Sequence, residues 1–446
     1  MTYKYIPHTE EDIKTMLKEI NAESVDCFFR DIPESVKLKR DYNLPDSMSE
    51  LEVMRRLQEL RDLNKNNLIH FIGAGSYDHY IPSIIKHITS RSEFYTAYTP
   101  YQPEIAQGTL QYIFEYQTMI CNLTGMDVSN ASMYDGATSC AEAIMMATSI
   151  TRRNKVLVAS TMHPHTIETI NTYGHYNGYE VEVINHHNGL IDEIELLNKL
   201  NSDVAAVVVS NPNFFGLIEN PESYVQKIHD NKSLLIMMVN PLSLGILKTP
   251  GEIGADIVCG EAQSLGIPLS FGGPYLGFLC AKKEYVRKMP GRICGQTTDV
   301  DGRRAFVLTL QAREQHIRRE KANSNICSNQ SLMALMATVY LATMGKAGLK
   351  EVCEQNIQKA HYAYKRITAL PNFEKVFAGP FFNEFVVKTN IDYEIIKEAL
   401  LKENMMPGLH LGIYDEKLKN HILFCVTEKR TKAEIDRLVE VLGGLK

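Results

Sequence analysis

The stretch Gly254-Ala-Asp-Ile-Val-Cys-Gly-Glu-Ala-Gln-Ser-Leu-Gly-Ile-Pro-Leu-Ser-Phe-Gly-Gly-Pro-Tyr-Leu-Gly-Phe-Leu-Cys-Ala281 decides how this chain is read. Ile257 to Cys259 predicts a short buried strand, and Gly277 to Ala281 predicts the next. The loop between them is rich in Gly and Pro and ends in Gly272-Gly273-Pro274. No lysine occurs between Lys248 and Lys282.

Outward from this stretch, strand and helix alternate. Val156–Ala159, Val181–Ile184, Val204–Ser210 and Leu234–Val239 predict further strands. Glu104–Leu123, Ser139–Thr151, Ile191–Leu200 and Pro221–Asp230 predict helices. Ala205-Ala-Val-Val-Val-Ser210 is apolar at consecutive positions, as in a strand covered on both faces. The alternation predicts an α/β domain with a mostly parallel sheet, spanning residues 68–320. Residues 1–67 predict a helical arm, with helical spacing in Glu11–Ile20 and Leu51–Leu63 and a loop-like stretch between them. Residues 321–446 predict a smaller α+β domain. Its helices are Ser328–Met344, ending at Gly345, then Lys350–Leu370, Tyr393–Glu403 and Lys432–Leu442; its strands are Glu384–Lys388 and Ile422–Val426.

Composition bounds the function. The chain has 446 residues, 44% hydrophobic and 22% charged, with a net charge of -6. That length suits two domains, and that charge gives no general attraction to nucleic acid. No run approaches the roughly 20 apolar residues of a membrane span, so no membrane association is expected. Residues 1–20 lack the order of a signal peptide. Nine scattered cysteines without a C-x-x-C pair suit reduced thiols and a cytoplasmic location. His163-Pro-His165 and His186-His187 have no matching ligands at metal-site spacing, so no metal is expected.

Several segments could carry chemistry. In Tyr134-Asp-Gly-Ala-Thr-Ser-Cys-Ala-Glu142, Gly136, Thr138 and Ser139 open a helix whose free N–H groups could cradle a phosphate. The structural alternative is a capping box, Ser139 with Glu142. Phe71-Ile-Gly-Ala-Gly-Ser76 lacks the third glycine of a dinucleotide loop and predicts a plain turn. His163 follows a strand at the carboxyl edge of the sheet, where it could lie on a cofactor ring. Asn240 follows the strand Leu234–Val239, where an Asp would pair with the nitrogen of such a ring; a neutral amide cannot supply that ion pair, and a strand-end cap is the plain alternative. The segment from Ser92 to Gly108 holds Tyr95, Tyr98, Thr99 and Gln102, too polar for core and too aromatic for a linker. Gln311 to Ser328 is dense first in charge and then in Asn, at the junction of the two domains.

In enzymes that hold pyridoxal phosphate on an α/β scaffold, a loop like the one after Cys259 carries the Schiff-base lysine. Its absence leaves two readings: no such enzyme, or half of one with the lysine on a partner. A self-sufficient homodimeric enzyme would need Lys248 or Lys282, and neither lies in the loop.

Four stretches together resemble the P-protein of the glycine cleavage system, glycine decarboxylase. They are Phe71-Ile-Gly-Ala-Gly-Ser-Tyr-Asp-His-Tyr-Ile-Pro82, Tyr98-Thr-Pro-Tyr-Gln-Pro-Glu104, Met289-Pro-Gly-Arg292 and Arg313-Glu-Gln-His-Ile-Arg-Arg-Glu-Lys-Ala-Asn-Ser-Asn-Ile-Cys327. Nearly the whole chain is similar to the separate N-terminal-half subunit, subunit 1 or alpha, found where that enzyme is split in two. The resemblance implies a type I pyridoxal-phosphate-dependent transferase-like fold, an active site at a subunit interface and an α2β2 heterotetramer. It implies that Ser264 stands where the companion has its lysine, and Asn240 where it has the ring-nitrogen aspartate. No residue here would then bind the cofactor covalently; pyridoxal phosphate would sit on the companion. The implied reaction decarboxylates glycine and passes the aminomethyl group to the lipoyl disulfide of the carrier H-protein. The expected contribution of this chain is a wall of the companion's site, with Tyr95, Tyr98, Thr99 and Gln102 first, then His316, Arg318, Lys321, Asn323 and Asn325. Gly136, Thr138, Ser139 and His163 would mark a degenerate cofactor pocket. The alternative is a purely structural or regulatory subunit.

Overall fold

The computed structural model describes residues 7–65 and 67–445. By its contacts the chain divides after residue 66. The first unit carries the helices Glu10–Glu19 and Glu50–Asp62. Each opens on a capping box, Thr9 with Asp12 and Ser49 with Glu52, so local chemistry sets both starts. Neither helix buries a residue, and Met16, Leu51, Met54 and Leu57 are exposed.

The second unit is built on a seven-stranded sheet. Its strands are β1 (Val128–Ser129), β2 (Lys155–Ala159), β3 (Glu180–Ile184), β4 (Val204–Asn211), β5 (Leu234–Val239), β6 (Ile257–Glu261) and β7 (Gly277–Ala281). Their order is β1-β7-β6-β5-β4-β2-β3. The five from β6 to β3 run parallel; β7 lies antiparallel to β6 and to β1. Parallel strands need both faces covered, and β2, β4, β5 and β6 are buried almost throughout. The mostly parallel sheet read from the sequence is therefore present. The edge strand β1 escaped that reading because two residues carry no period.

The helices Gln107–Thr124 and Gly136–Thr151 lie against this sheet. The first starts later than its apolar spacing suggests, because Pro103–Ile105 forms a separate 3-10 turn. The helix expected from Ile191 begins at Glu193 under an Asp192 cap, and Leu190–Ile191 pairs with His186–His187 instead. A two-stranded hairpin, β8 (Ile293–Thr298) and β9 (Arg304–Thr309), also went unread. Its polar alternation in Gln296-Thr-Thr298 resembles loop.

A second sheet, in the order β10-β11-β13-β12, comprises β10 (Phe373–Lys375), β11 (Glu384–Thr389), β12 (Leu409–His410) and β13 (His421–Cys425). It packs with the helices Tyr393–Lys402 and Lys432–Gly443 around Phe385, Leu423, Phe424 and Leu438. The stretch Ser331–Ile367 is two helices that meet at Gly345, the expected break, where φ 57° and ψ -171° are not helical. Only glycine adopts that backbone at little cost. Its first half enters the core of the large sheet through Met333, Ala337 and Tyr340, and its second enters the small one through Ala360, Ala363 and Ile367. By length and composition alone the stretch Ser331–Ile367 is long and apolar enough to cross a membrane, but Gly345 breaks it. Its apolar side chains instead fill both cores.

Candidate functional site

The carboxyl edge of the parallel strands gathers Ser160, Asn211, Asn240 and Glu261 at the ends of β2, β4, β5 and β6. Ser264 lies three residues beyond β6 and is buried. Its hydroxyl donates to Asn240 Oδ1 at 3.0 Å. The same Asn240 oxygen accepts the Leu242 N–H at 3.1 Å, which starts a 3-10 turn. Asn240 is therefore a strand-end cap, and its contact with Ser264 closes the space between two strand ends. No amine is present on this loop, so a Schiff base has nothing here to form on.

Gly136 opens the helix Gly136–Thr151 beside the same edge. The expected capping box of Ser139 and Glu142 is not formed. Asp135 is the cap: its Oδ1 accepts the Thr138 N–H at 2.8 Å, and the box closes on Thr138. Ser139 lies inside the first turn, and its hydroxyl donates to the Asp135 carbonyl at 2.6 Å. The stronger capping residue two positions before Ala137 wins. Glu261 then reaches across from β6. Its Oε2 accepts the Gly136 N–H, and its Oε1 accepts the N–H groups of Gln263 and Leu276, each at 3.0 Å. Burial pushes Glu261 up to about 7, and the N–H groups of Leu276 and Gly136 pull the other way. Sequence reading missed Glu261 because it looks like the polar end of a strand. The signal was there: an acid at a strand's carboxyl end, facing a glycine-started helix.

His163 caps the helix Pro164–Asn177 and accepts the His165 N–H on Nδ1 at 3.1 Å. Phe214 meets its ring edge-on at 5.0 Å and Tyr414 at 6.2 Å. Burial first, and then the neighbouring His165, push it down to about 4. It is a neutral ring at pH 7. The Phe71–Ser76 segment is the turn expected, with Gly73 at φ 63° and Gly75 at φ 88°, and its Ala74 N–H donates to buried Glu384 at 2.6 Å.

A second cluster joins the other two segments singled out in the sequence. Arg313 reaches back to the carbonyls of Met289, Gly291 and Leu310, which fixes the Met289-Pro-Gly-Arg292 turn. Asn130 also holds this turn, donating to Pro290. Thus fixed, the Arg292 guanidinium is buried, donates to the Tyr101 hydroxyl at 3.0 Å and lies 5.1 Å from the centre of that ring. Glu314 lies between Arg292, at 3.9 Å, and His316, at 3.6 Å. Burial raises Glu314, and the charges of His316, Arg292 and Arg313 oppose it. Among the described residues, buried Arg292 Nε and Glu314 Oε1 have no hydrogen-bond partner.

The expected wall residues fall into two groups around this cluster. Tyr95, Tyr98 and Thr99 line a cleft of about 210 Å3 together with Arg292, Asn329 and Ser331. Tyr95 is 70% and Tyr98 90% exposed, so both phenols face outward. Gln102 caps the next short turn and is exposed. Asn323 and Asn325 line a different cavity of about 370 Å3, with Glu142 and Tyr173. His316, Arg318 and Lys321 are exposed on the short helices before it. Tyr101, Arg292 and Glu314 were not singled out in the sequence, although all three sit inside the quoted stretches. Among the described residues, no cluster of His, Cys, Asp and Glu is placed to hold a metal.

Residues 3–442 match the glycine cleavage system P-protein family. A relative from Desulforamulus reducens, a probable glycine dehydrogenase (decarboxylating) subunit 1, is 55% identical over 99% of this chain and 100% of its own length. A crystal structure of glycine decarboxylase (P-protein) of the glycine cleavage system, in inhibitor-bound form, superposes with a TM-score of 0.92 at 40% identity, covering 99% of each chain. A sphingosine-1-phosphate lyase from Burkholderia pseudomallei superposes with a TM-score of 0.67 at 13% identity over 92% of this chain and 94% of its own, a likeness of fold alone. The fold is that of the type I pyridoxal-phosphate enzymes.

Proposed function

The chain belongs to the glycine cleavage system P-protein family, and we propose that it is the lysine-free subunit of a two-subunit glycine dehydrogenase (decarboxylating). The companion subunit holds pyridoxal phosphate, which takes up the electrons released as carbon dioxide leaves glycine. The aminomethyl carbon then bonds to one sulfur of a lipoyl disulfide on the carrier H-protein. The S–S bond breaks, and the pair of electrons left by decarboxylation reduces it. The assembly is α2β2 and cytosolic.

One observation supports a direct contribution from this chain. The Tyr101–Arg292–Glu314 cluster ties the tyrosine loop to the segment after Arg313 and leaves Tyr95 and Tyr98 outward on a fixed base. Aromatic groups held this way suit a site shared with a second subunit, because their orientation is set before the partner arrives. The loop's role is to exclude water and position substrate; the chemistry belongs to the companion's cofactor.

The test is reconstitution. This chain, its companion and both together are incubated with pyridoxal phosphate and borohydride, then weighed as intact proteins. Glycine decarboxylation is assayed in parallel with a lipoyl carrier. The expected result is an adduct on the companion only, with activity only in the mixture. An adduct on one lysine of this chain, with activity in its absence of a companion, overturns the proposal.

A further inference from the structure

We propose that Glu261 is a built-in occupant: its carboxyl group fills the cradle at the start of the helix Gly136–Thr151 and keeps phosphate esters out of this chain's own sheet edge. The inference goes beyond the proposed reaction and holds whichever subunit carries the cofactor.

Three N–H groups from three different segments converge on the Glu261 carboxylate at 3.0 Å: Gly136 at the helix start, Gln263 in the loop and Leu276 before β7. Convergent backbone N–H groups at a helix N-terminus are what a bound anion uses. Here the acceptor is part of the chain. Two further donors of the first turn are also spent. Thr138 N–H goes to the Asp135 side chain, Ser139 N–H to the Asp135 carbonyl, and both hydroxyls turn inward to Asp135.

A phosphate arriving here would find three N–H donors already held by the Glu261 carboxyl group and would meet the Asp135 carboxylate beside them. Like charges at that range repel strongly in a partly buried site. No lysine offsets them nearby in sequence: Lys248 is paired with Glu222, and Lys282 with Asp256. The cradle also has no slack. A Cβ on Gly136 would lie 2.8 Å from Glu261 Cβ and 2.9 Å from the Glu261 backbone nitrogen. A Cβ on Gly277 would lie 2.3 Å from the Asp135 carbonyl oxygen. The helix start, β6 and β7 are pressed together around the carboxylate. Beside it, Ser264 is bonded to Asn240 at the end of β5.

The experiment titrates inorganic phosphate and pyridoxal phosphate into the full-length chain at constant ionic strength, read by calorimetry and thermal melting. Wild type is expected to show no saturable binding of either. Glu261→Ala is expected to melt lower, and millimolar inorganic phosphate, but not chloride, is expected to restore part of the loss. Saturable phosphate binding to wild type at the Gly136 amide overturns the proposal, as does a folded Glu261→Ala that ignores phosphate. If that variant does not fold, Glu261→Gln and the wild-type titration decide: phosphate binding to wild type overturns the proposal, and its absence beside a phosphate-responsive Glu261→Gln supports it. None of these readouts uses glycine or a companion, so a failure here is distinct from a failure of the proposed reaction.

Discussion

Ser264 Oγ donates to Asn240 Oδ1 at 3.0 Å, and this one bond joins the ends of two neighbouring parallel strands. A serine hydroxyl and an amide oxygen satisfy each other without charge, so the joint is stable in a buried setting. A lysine at 264 would need room for four methylenes and a counter-charge, and Asn240 supplies neither. Restoring the lysine alone therefore does not restore a cofactor site. Ser264→Lys is expected to yield no borohydride-stable adduct and to lower stability by about 2–4 kcal/mol, as expected for a buried unpaired charge. Intact mass after trapping and urea unfolding check both parts.

Arg292 and Glu314 are both about one-twentieth exposed, and each has a buried polar atom with no hydrogen-bond partner. Removing one member leaves the other charge buried alone, which costs about 3–5 kcal/mol. Arg292→Met is expected to fall in that range by urea unfolding. Arg292→Lys keeps the charge but loses the planar group over the Tyr101 ring, so it should retain more stability than Arg292→Met while lowering turnover of the reconstituted enzyme. Equal stability and equal turnover in the two variants would show that the stacking does nothing.

Tyr95 and Tyr98 are exposed, so removing either hydroxyl should shift stability by less than about 0.5 kcal/mol. Tyr95→Phe and Tyr98→Phe are nevertheless expected to slow glycine decarboxylation in the complex by about tenfold, a loss of roughly 1.4 kcal/mol of transition-state stabilisation. Unchanged melting with reduced kcat separates a wall of the site from a structural loop. Full activity in both variants rules the loop out as that wall.

Three buried carboxyls, Glu142, Glu261 and Glu384, contribute stability that falls as pH rises from 4.5 to about 7, while His163, pushed down to about 4, contributes stability that rises between about 4 and 6.5. Burial pushes Glu142 and Glu384 up from 4.5 to about 7, with Ser324 opposing it for the first and Ala74 and Tyr77 for the second. In that window the folded chain keeps protons that the unfolded chain has lost, so the unfolded state gains as pH increases. Below the window both states are protonated and the contribution is complete. Glu142→Gln removes one of the three carboxyls and should lessen this fall by on the order of 3 kcal/mol across the window. Melting curves from pH 4.5 to 8 measure this, and an unchanged slope in the variant would remove Glu142 as a cause.

The fold was legible where burial imposes a period or a run. The strands Leu234–Val239 and Gly277–Ala281 were read to the residue because both faces are covered and nothing polar intrudes. The hairpin Ile293–Thr298 with Arg304–Thr309 was not, because one face is solvated and its polar residues mimic a loop. At the site, the missing lysine and the outward tyrosines could be seen in the sequence. The partnership of Glu261 with Gly136 spans 125 residues, and that of Arg292 with Tyr101 spans 191. Neither leaves a local pattern, since only the tertiary fold brings those pairs together. The cap at Asp135 was readable, but Ser139 and Glu142 offered a competing box at the same spacing.

Gly136 has no room for a side chain. It is buried at the helix start, with Glu261 and Gly260 directly behind it. A methyl group there would sit 2.8 Å from Glu261 Cβ and 3.1 Å from the Gly260 carbonyl carbon, and backbone cannot swing aside as a flexible side chain could. The helix must therefore move away from β6, which lengthens the Gly136 N–H bond to Glu261 and leaves a buried carboxylate short of a donor. Alanine favours helix over glycine by about 1 kcal/mol in an open setting, so propensity alone predicts a more stable protein. Overpacking, at about 1–3 kcal/mol, and the weakened hydrogen bond outweigh it. Gly136→Ala is expected to be less stable than wild type by about 2 kcal/mol in urea unfolding. The double variant Gly136→Ala with Glu261→Ala is expected to lose less than the sum of the two single changes, because both act on the same Gly136 N–H to Glu261 hydrogen bond, while the clash with the Glu261 Cβ and backbone remains. Strict additivity of the two would show that the helix start and Glu261 are not in contact in solution.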